Sequence, residues 1–137
     1  MIASTDLNFS TAGDGDTIDI TAEVQRCVEA AGVSAGQVSA FVRGSTAAIT
    51  TMEFEPGGVH DLRQMLERLI PSQGEYEHNR LNHDSNSHAH QRASLVGPSL
   101  AVPVIDGRPA LGTWQQIVLL DFDDRPRQRT VVVQVIA

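Results

Sequence analysis

Two stretches of the chain repeat apolar residues at helical spacing. Within residues 24–31 the apolar positions recur at i, i+3, i+4 and i+7, which is one face of a helix. Thr21 is typical of the N-cap of this helix, and Gly32 is typical of its end. The same spacing in residues 59–69 predicts a second helix that ends before Pro71.

Shorter segments are β-branched or alternate apolar with polar residues, as strands do. Asp106 and Gly107 give a two-residue hairpin signal, although Pro103 and Pro109 favour short or edge strands around it. The order of elements predicts one α+β domain over residues 1–137, with two main helices against a mostly antiparallel β-sheet or sandwich core. The segments predicted as strands are residues 7–9, 18–20, 37–42, 47–54, 102–105, 108–111, 117–122 and 130–136.

Residues 72–92 differ from the rest because they are polar and almost free of aliphatic side chains. We predict a long loop here, and long polar loops in small domains are more often functional or disordered than structural. Four of the five histidines lie in it: His78, His83, His88 and His90. His88 and His90 would share a face on a strand but not on a helix. The cluster is typical of a metal or acid–base site, and a solvated histidine-rich loop is the alternative.

Charge and composition exclude several functions. Seventeen acidic residues against ten basic ones, all arginine, give a formal charge of −7, which argues against nucleic acid and anionic membranes as partners. Without lysine there is neither a Schiff base nor a P-loop lysine. Cys27, the only cysteine, falls on the apolar face of the first helix and is expected in the core. With no bilayer-spanning run and no signal peptide pattern, the expected location is the cytoplasm.

Three further groups carry candidate chemistry, each with a structural alternative. Glu53 could be a metal ligand or a base, as could Asp61, whose alternative role is to favour a helix N-terminus. Trp114 could close a ligand pocket, or lie in the core or an interface. The alternating arginines of residues 125–129 could bind a phosphate or protect an edge strand. The run 130–136 could be buried on both faces or lie in an oligomer interface.

Residues 99–117 resemble the signature of the YjbQ family, also called the secondary thiamine-phosphate synthase family. Their serine, apolar strand and glycine precede Gly-Thr-Trp-Gln at the family's offsets. Residues 18–21 resemble the entry to its first helix, 76–78 its Tyr-x-His step, and 89–97 its Ala-His segment. The resemblance covers about residues 7–136.

The resemblance implies a small α+β homotrimer with sites near subunit boundaries and histidines that can hold a divalent metal such as zinc or magnesium. It also implies a weak activity that joins hydroxymethylpyrimidine diphosphate to thiazole phosphate and releases pyrophosphate. Of the family's histidines, His78 and His90 match in this chain. In a transferase of this kind the catalytic residues would be His78, His90 and Glu53, with Asp61 as the alternative to Glu53 in completing the shell, and the metal ligands would be His78, His90 and His88. A phosphorylated substrate would contact Arg43, Ser45, Thr46, Trp114 and Gln115.

The chain departs from the family at one histidine. Where the family has His-Thr-Thr-Ala or His-Thr-Ser-Ala, this chain has Gly44, Ser45, Thr46 and Ala47. His88 could supply the missing ligand, or Arg43 could place a cation where the metal would lie. Two functions therefore stay open: a weak thiamine-phosphate synthase-like transferase, and a non-catalytic trimer that binds a metal or a phosphate.

Overall fold

The computed structural model describes residues 1–137, which form eight strands and four helices. None of the four helices combines the length and the apolar composition that crossing a bilayer requires. The α+β class predicted from the sequence is confirmed. In chain order the elements are β1 (Ile2–Thr11), β2 (Asp16–Asp19), α1 (Thr21–Ala31), β3 (Ala35–Val42), β4 (Ala47–Met52), α2 (Pro56–Leu69), α3 (Glu77–Asn82), α4 (Ser87–Val96), β5 (Ser99–Ile105), β6 (Arg108–Pro109), β7 (Gln116–Asp121) and β8 (Arg127–Ile136).

The strands form two antiparallel sheets. The larger sheet has the order β1-β8-β3-β5-β6, and the smaller one has the order β2-β7-β4. Every paired neighbour is antiparallel, as predicted. β5 and β6 meet across Asp106 and Gly107, both at positive φ, which is the backbone that a two-residue hairpin needs.

The main core lies between the two sheets and α1. Val24, Cys27 and Val28 of α1 are buried there, as their helical spacing predicts. Burial raises the pKa of the Cys27 thiol above its ordinary value, as expected for a thiol that packs as a small apolar group. Gly32 ends α1 in the left-handed conformation, as predicted. The prediction of Thr21 as the N-cap is wrong, because Ile20 is at that position and the Thr21 hydroxyl accepts from the Ile117 N–H instead.

The small sheet is covered on its second face by α2 and α4. Alternate residues of β4 and β7 pack into a second core with Leu66 of α2 and with Ala89 and Ala93 of α4. Because β7 is buried on both faces, its sequence is a continuous apolar run. This layer holds α4 against the end of β7, where the charged residues described below are found.

The second helix begins three residues earlier than its apolar spacing indicates. Pro56 occupies its first turn, and the carboxylate of Glu55 accepts hydrogen bonds from the backbone N–H groups of Gly57 and Gly58. Asp61 is therefore beyond the first turn, and its side chain is 83% exposed and faces His60. The N-terminus of α2 is stabilised by Glu55, and the role predicted there for Asp61 is wrong.

The prediction of a long loop over residues 72–92 is also wrong. Two helices, α3 and α4, occupy most of it. α4 shows no apolar periodicity in its sequence, because its buried positions are Ser87, His88 and Arg92 beside two alanines. Hydrogen bonds from the Arg92 guanidinium to Glu67 and to the Ile70 carbonyl make that burial possible.

β8 is central in its sheet, between β1 and β3. Its arginines therefore do not protect an edge strand, which corrects that alternative. From Val131 to Val135 the strand alternates fully buried with half-buried side chains, so only one face is in the core. Trp114 lies outside the core of the chain and is 74% exposed.

Candidate functional site

Two aspartates and two arginines form a buried ion cluster where β7 ends and β8 begins. The Nε and Nη2 atoms of Arg129 donate to the two carboxylate oxygens of Asp121 at 2.7 and 2.8 Å. The Nε atom of Arg127 donates to Asp123 at 2.9 Å. Both carboxylates are fully buried, and Arg129 is 7% exposed. A paired guanidinium and carboxylate remain charged in such a place because each satisfies the other.

Threonine hydroxyls complete this cluster. Thr46 donates to Asp123 at 3.0 Å and accepts from Arg129 at 2.6 Å, while Thr11 donates to Asp121 at 2.5 Å. Burial alone would raise the pKa of Asp123. The hydrogen bonds that Asp123 accepts from Thr46, Arg127 and the Asp124 N–H outweigh burial and hold that pKa well below its ordinary value. Asp123 is therefore a fixed negative charge at neutral pH.

Asn86 connects the ion cluster to a histidine. Its Nδ2 atom is 3.4 Å from Asp123 Oδ1, and a carboxylate there can only accept, so the amide nitrogen faces Asp123. The Oδ1 atom of Asn86 then lies 3.0 Å from His78 Nε2 and accepts a hydrogen bond from its N–H. Asp84 Oδ2, 3.5 Å from the same nitrogen, favours the same tautomer. In neutral His78 the lone pair is therefore on Nδ1.

His90 lies beside His78. The two ring centroids are 4.7 Å apart, and the rings are inclined by 58°. His78 is on α3 and His90 is on α4, so the short connection between these helices brings the two imidazoles together. The pair offers the open Nδ1 of His78 and the ring of His90 to a ligand.

Gly44 lies against Arg129. Its φ is +113°, and a Cβ at this position would be 2.7 Å from Arg129 Nη1. That nitrogen has no hydrogen-bond partner in the chain, while Nε and Nη2 of the same guanidinium are bound to Asp121 and Thr46. Gly44 and Ser45 are exposed, so this corner opens to solvent. At Gly44, where the resemblance leads us to expect a histidine, this chain therefore has an unpartnered N–H beside a residue without a side chain.

The remaining predicted site residues are dispersed. Arg43 is exposed next to Gly44. Glu53 lines a shallow pocket with Met52 and Leu62, in which no histidine takes part. Gln115 donates to Thr51 and lies in a further pocket beneath β5. Among the predicted residues, the structure brings His78 together with His90, and it places Thr46 in the ion cluster.

His88 is on a helix, where a spacing of two directs side chains to different faces. It is 5% exposed and lines a cavity that neither His78 nor His90 lines. Burial and, to a smaller extent, the Arg92 guanidinium lower the pKa of His88 below its ordinary value.

The residues of one chain do not fit a three-ligand metal site. Nowhere in the chain do three or more histidine, cysteine, aspartate or glutamate side chains meet closely enough to hold a metal ion. Where a third ligand would be expected there is the Arg129 guanidinium, whose charge repels a cation. His78 and His90 remain as a two-histidine pair.

Sequence reasoning missed Asn86, Asp121 and Asp123. Asp121 and Asp123 flank Phe122 at the end of an apolar run, and buried acids at a strand end were the available signal. Asn86 gave none, because its importance depends on contacts with residues 78 and 123, which the fold brings together.

Comparisons with known proteins agree with this architecture. The sequence model of a family described as UPF0047 protein YjbQ-like matches residues 5–137. A UPF0047 protein of Archaeoglobus fulgidus is 43% identical over 129 residues, which are 94% of this chain and 98% of that protein. One of Methanothermobacter thermautotrophicus is 39% identical over 130 residues, 95% of this chain and 89% of that protein.

Solved structures have the same fold. A YbjQ-like protein of unknown function from Sulfolobus solfataricus superposes with a TM-score of 0.93 at 32% identity, covering 98% of this chain and 96% of that one. A YjbQ/UPF0047 family protein from Clostridium acetobutylicum gives 0.88 at 37% identity, covering 96% of this chain and 99% of that one. The chain belongs to the YjbQ-like UPF0047 family, which confirms the resemblance drawn from residues 99–117.

Proposed function

We propose that the protein binds the phosphate or diphosphate group of a small molecule at a site formed by His78, His90, Gly44 and Arg129, here called the histidine–arginine site. The observation that carries this proposal is the unpartnered Nη1 of Arg129 beside Gly44. A fixed guanidinium N–H that opens to solvent is a donor for a phosphate oxygen. Arg43, exposed next to Gly44, adds a second positive charge.

The hydrogen bonds of the ion cluster support this proposal. They run from Arg129 through Thr46, Asp123 and Asn86 to His78, so the guanidinium and the imidazole are positioned by one connected set of contacts. Groups fixed in this way bind an oxyanion without losing much side-chain entropy. Because the fixed Nε2–H of His78 is directed at Asn86, a ligand meets the opposite edge of the ring or the neighbouring His90.

A weak thiamine-phosphate synthase-like reaction is the second candidate, and the tautomer of His78 favours it. In that reaction the thiazole nitrogen forms a bond to the methylene carbon of the pyrimidine as its C–O bond to diphosphate breaks. Pyrophosphate leaves with the electron pair. Arg129 and Arg43 would stabilise the charge of the leaving group, and the Nδ1 lone pair of His78 would orient a bound N–H or O–H. In this proposal no metal takes part in any step.

We also propose that the chain forms a homotrimer. The outward face of the five-stranded sheet exposes Ile2, Phe41, Ile105 and Ile136, which are between 43% and 67% accessible. Apolar side chains on one continuous sheet face favour association with further copies of the chain. A cytoplasmic location stays a prediction from the sequence.

The test of the proposed site is calorimetric titration with inorganic pyrophosphate. His90→Gln keeps polarity but removes an imidazole, and it is expected to weaken binding about tenfold, the effect of losing one charge-assisted hydrogen bond. His60→Gln on exposed α2 is the matched control and should bind as the wild type does. Equal affinities in all three proteins would contradict the proposal.

Elemental analysis of the untagged protein separates phosphate binding from metal binding. Near-stoichiometric metal that disappears in His90→Ala would favour a metal site and overturn the phosphate site. Turnover is tested with the two thiamine precursors. A Cβ at position 44 meets Arg129 Nη1, so Gly44→His is first checked for a wild-type circular dichroism spectrum. If the folded variant gains both metal affinity and product formation, the site is a degraded transferase; if the folded variant gains neither, the binding function stands alone.

A further inference from the structure

A polar cavity of about 230 Å³ lies between α2, α4 and the turn before β2, away from the histidine–arginine site. No residue of the histidine–arginine site lines it. Its innermost residues are the buried side chains of Leu66, His88, Arg92 and Phe122, and Arg63 and Asp14 lie at its exposed rim. The cavity is therefore apolar on part of its floor and charged where it opens.

His88 is the unexplained residue of this cavity. Only 5% of its surface is exposed, and neither ring nitrogen has a hydrogen-bond partner in the chain. The Nδ1 atom is enclosed, which leaves Nε2 as the ring nitrogen that can reach the cavity. A buried imidazole without partners costs stability, so a ligand that completes its hydrogen bonding would compensate for that cost.

The enclosure of Nδ1 decides which group His88 offers. An unmet N–H in a closed space costs more than an unmet lone pair, so the lone pair belongs on Nδ1 and the proton on Nε2. His88 thus presents a hydrogen-bond donor to the cavity.

Arg92 adds a second donor at the same depth. Its Nε and Nη2 atoms bind the Ile70 carbonyl and Glu67, and Nη1 has no partner. Glu67 Oε1 accepts from the N–H and the hydroxyl of Ser72, and Oε2 accepts from Arg92, so the negative charge of Glu67 is offset by the guanidinium that it binds. These hydrogen bonds, that of Arg92 first, lower the pKa of Glu67 and keep it ionised.

We propose that this cavity binds a small molecule through one oxyanion group, a carboxylate or a phosphate, held by His88 Nε2–H and Arg92 Nη1–H. The two groups without a partner at the buried end of the cavity, His88 Nε2–H and Arg92 Nη1–H, are both donors, which favours an anion over a cation. At the rim the charges of Arg63 and Asp14 balance, and Arg63 is held in place by the backbone carbonyl of Asp14. The proposal is independent of the histidine–arginine site, since the two share no residue.

The test is a titration of the ¹⁵N-labelled protein with inorganic phosphate and, separately, with acetate, at constant pH and ionic strength, followed by the side-chain nitrogen signals of the histidines. We expect the His88 Nε2 signal to move and saturate with at least one of the two anions, also in His90→Gln. Signals of His78 and His90 report the other site, so failure at one site is distinguished from failure at the other.

Arg63→Gln and Arg68→Gln form a matched pair on α2, because only Arg63 lines the cavity. Arg63→Gln is expected to weaken the anion about threefold, as an exposed charge does, and Arg68→Gln to leave it unchanged. A His88 signal that neither anion moves, or equal effects of the two substitutions, would overturn the proposal. Saturation by phosphate alone identifies a phosphate site, and saturation by acetate identifies a carboxylate site.

Discussion

The structure contains two nearly buried arginines, each paired with a carboxylate, in different surroundings. Arg129 and Arg92 are 7% and 8% exposed. The partner of Arg129, Asp121, is fully buried, whereas the side chain of Glu67, the partner of Arg92, is 45% exposed. The same chemical pair is thus enclosed in one place and open to water in the other.

This difference bears on what each pair does. Asp121 has no route to water, so its charge depends on Arg129, Thr11 and the Asp123 N–H. Water can solvate the half-exposed Glu67 carboxylate, and Arg92 keeps the Ile70 carbonyl as a second partner. The enclosed pair holds the end of β7 in place, while the open pair borders a cavity that a ligand can enter. Both arginines belong to proposed binding sites, and solvent access to the carboxylate, more than the distance between the charges, decides how strongly each guanidinium depends on its partner.

The largest expected effect comes from removing the enclosed charge. Asp121→Asn should lower the free energy of unfolding by about 3–5 kcal/mol, because Arg129 would remain buried without the carboxylate it binds twice, with only Asp123 at 4.0 Å to offset its charge. Glu67→Gln should lower it by at most about 1 kcal/mol, since solvent screens that pair. Urea unfolding of both variants measures the difference. Similar losses in the two variants would show that burial of the carboxylate does not determine how much an ion pair contributes to stability.

A methyl group at Gly44 tests how firmly Asp121 holds Arg129. Gly44→Ala would place a Cβ 2.7 Å from Arg129 Nη1, and the bidentate contact with Asp121 prevents the guanidinium from moving away. Gly97 has a similar φ of +100° but nothing within 4 Å of a Cβ, so Gly97→Ala isolates the backbone strain. We expect Gly44→Ala to lose about 1–3 kcal/mol more than Gly97→Ala in the same unfolding assay. Equal losses would mean that the Arg129 guanidinium moves away from the new methyl group without a measurable loss of stability.

Acid should destabilise the protein through Asp123. Because the folded pKa of Asp123 lies below the ordinary value of 3.8, its stabilising effect is complete above that value, declines as the pH falls below it, and is gone once the pH has fallen through the folded pKa. Between about pH 6 and about pH 3, Asp123 alone should account for about 1 kcal/mol of lost unfolding free energy. Asp123→Asn should show a pH dependence smaller by that amount. An unchanged dependence would contradict the argument.

The sequence predicted the fold better than it predicted the site. Periodicity identified α1 and α2, and the apolar runs identified the strands, because those elements bury one continuous apolar face. It missed α4, whose buried face contains His88 and Arg92, since a polar side chain becomes buried only after distant partners have satisfied it. The ion cluster was missed for the same reason: Thr46 and Asp123 are 77 residues apart.

The histidines show the same limit within the site. The resemblance correctly grouped His78 with His90, which the structure places 4.7 Å apart. His88 was a hypothesis for the missing ligand on the condition that it faces the same way as His90, and the helical conformation of residues 87–96 shows that it lies on another face. Local conformation decides the direction of a side chain, and the sequence alone left strand and helix open there.

The smallest expected effect concerns Trp114, an apolar side chain that is open to solvent as the Glu67 carboxylate is. Its side chain is 74% exposed, so Trp114→Ala should change the unfolding free energy of the isolated chain by no more than about 0.5 kcal/mol. Trp114 is the only tryptophan, so fluorescence quenching by acrylamide reports it alone.

If the proposed trimer covers Trp114, quenching should decrease as the chain concentration rises, in step with the mass measured by light scattering. Quenching that stays constant while trimers form would exclude Trp114 from the interface. An indole that remains exposed in the assembly is free to stack on a ligand and so to close a ligand pocket. The experiment therefore distinguishes a tryptophan that is exposed to solvent only in the isolated chain from one that stays exposed in the proposed trimer.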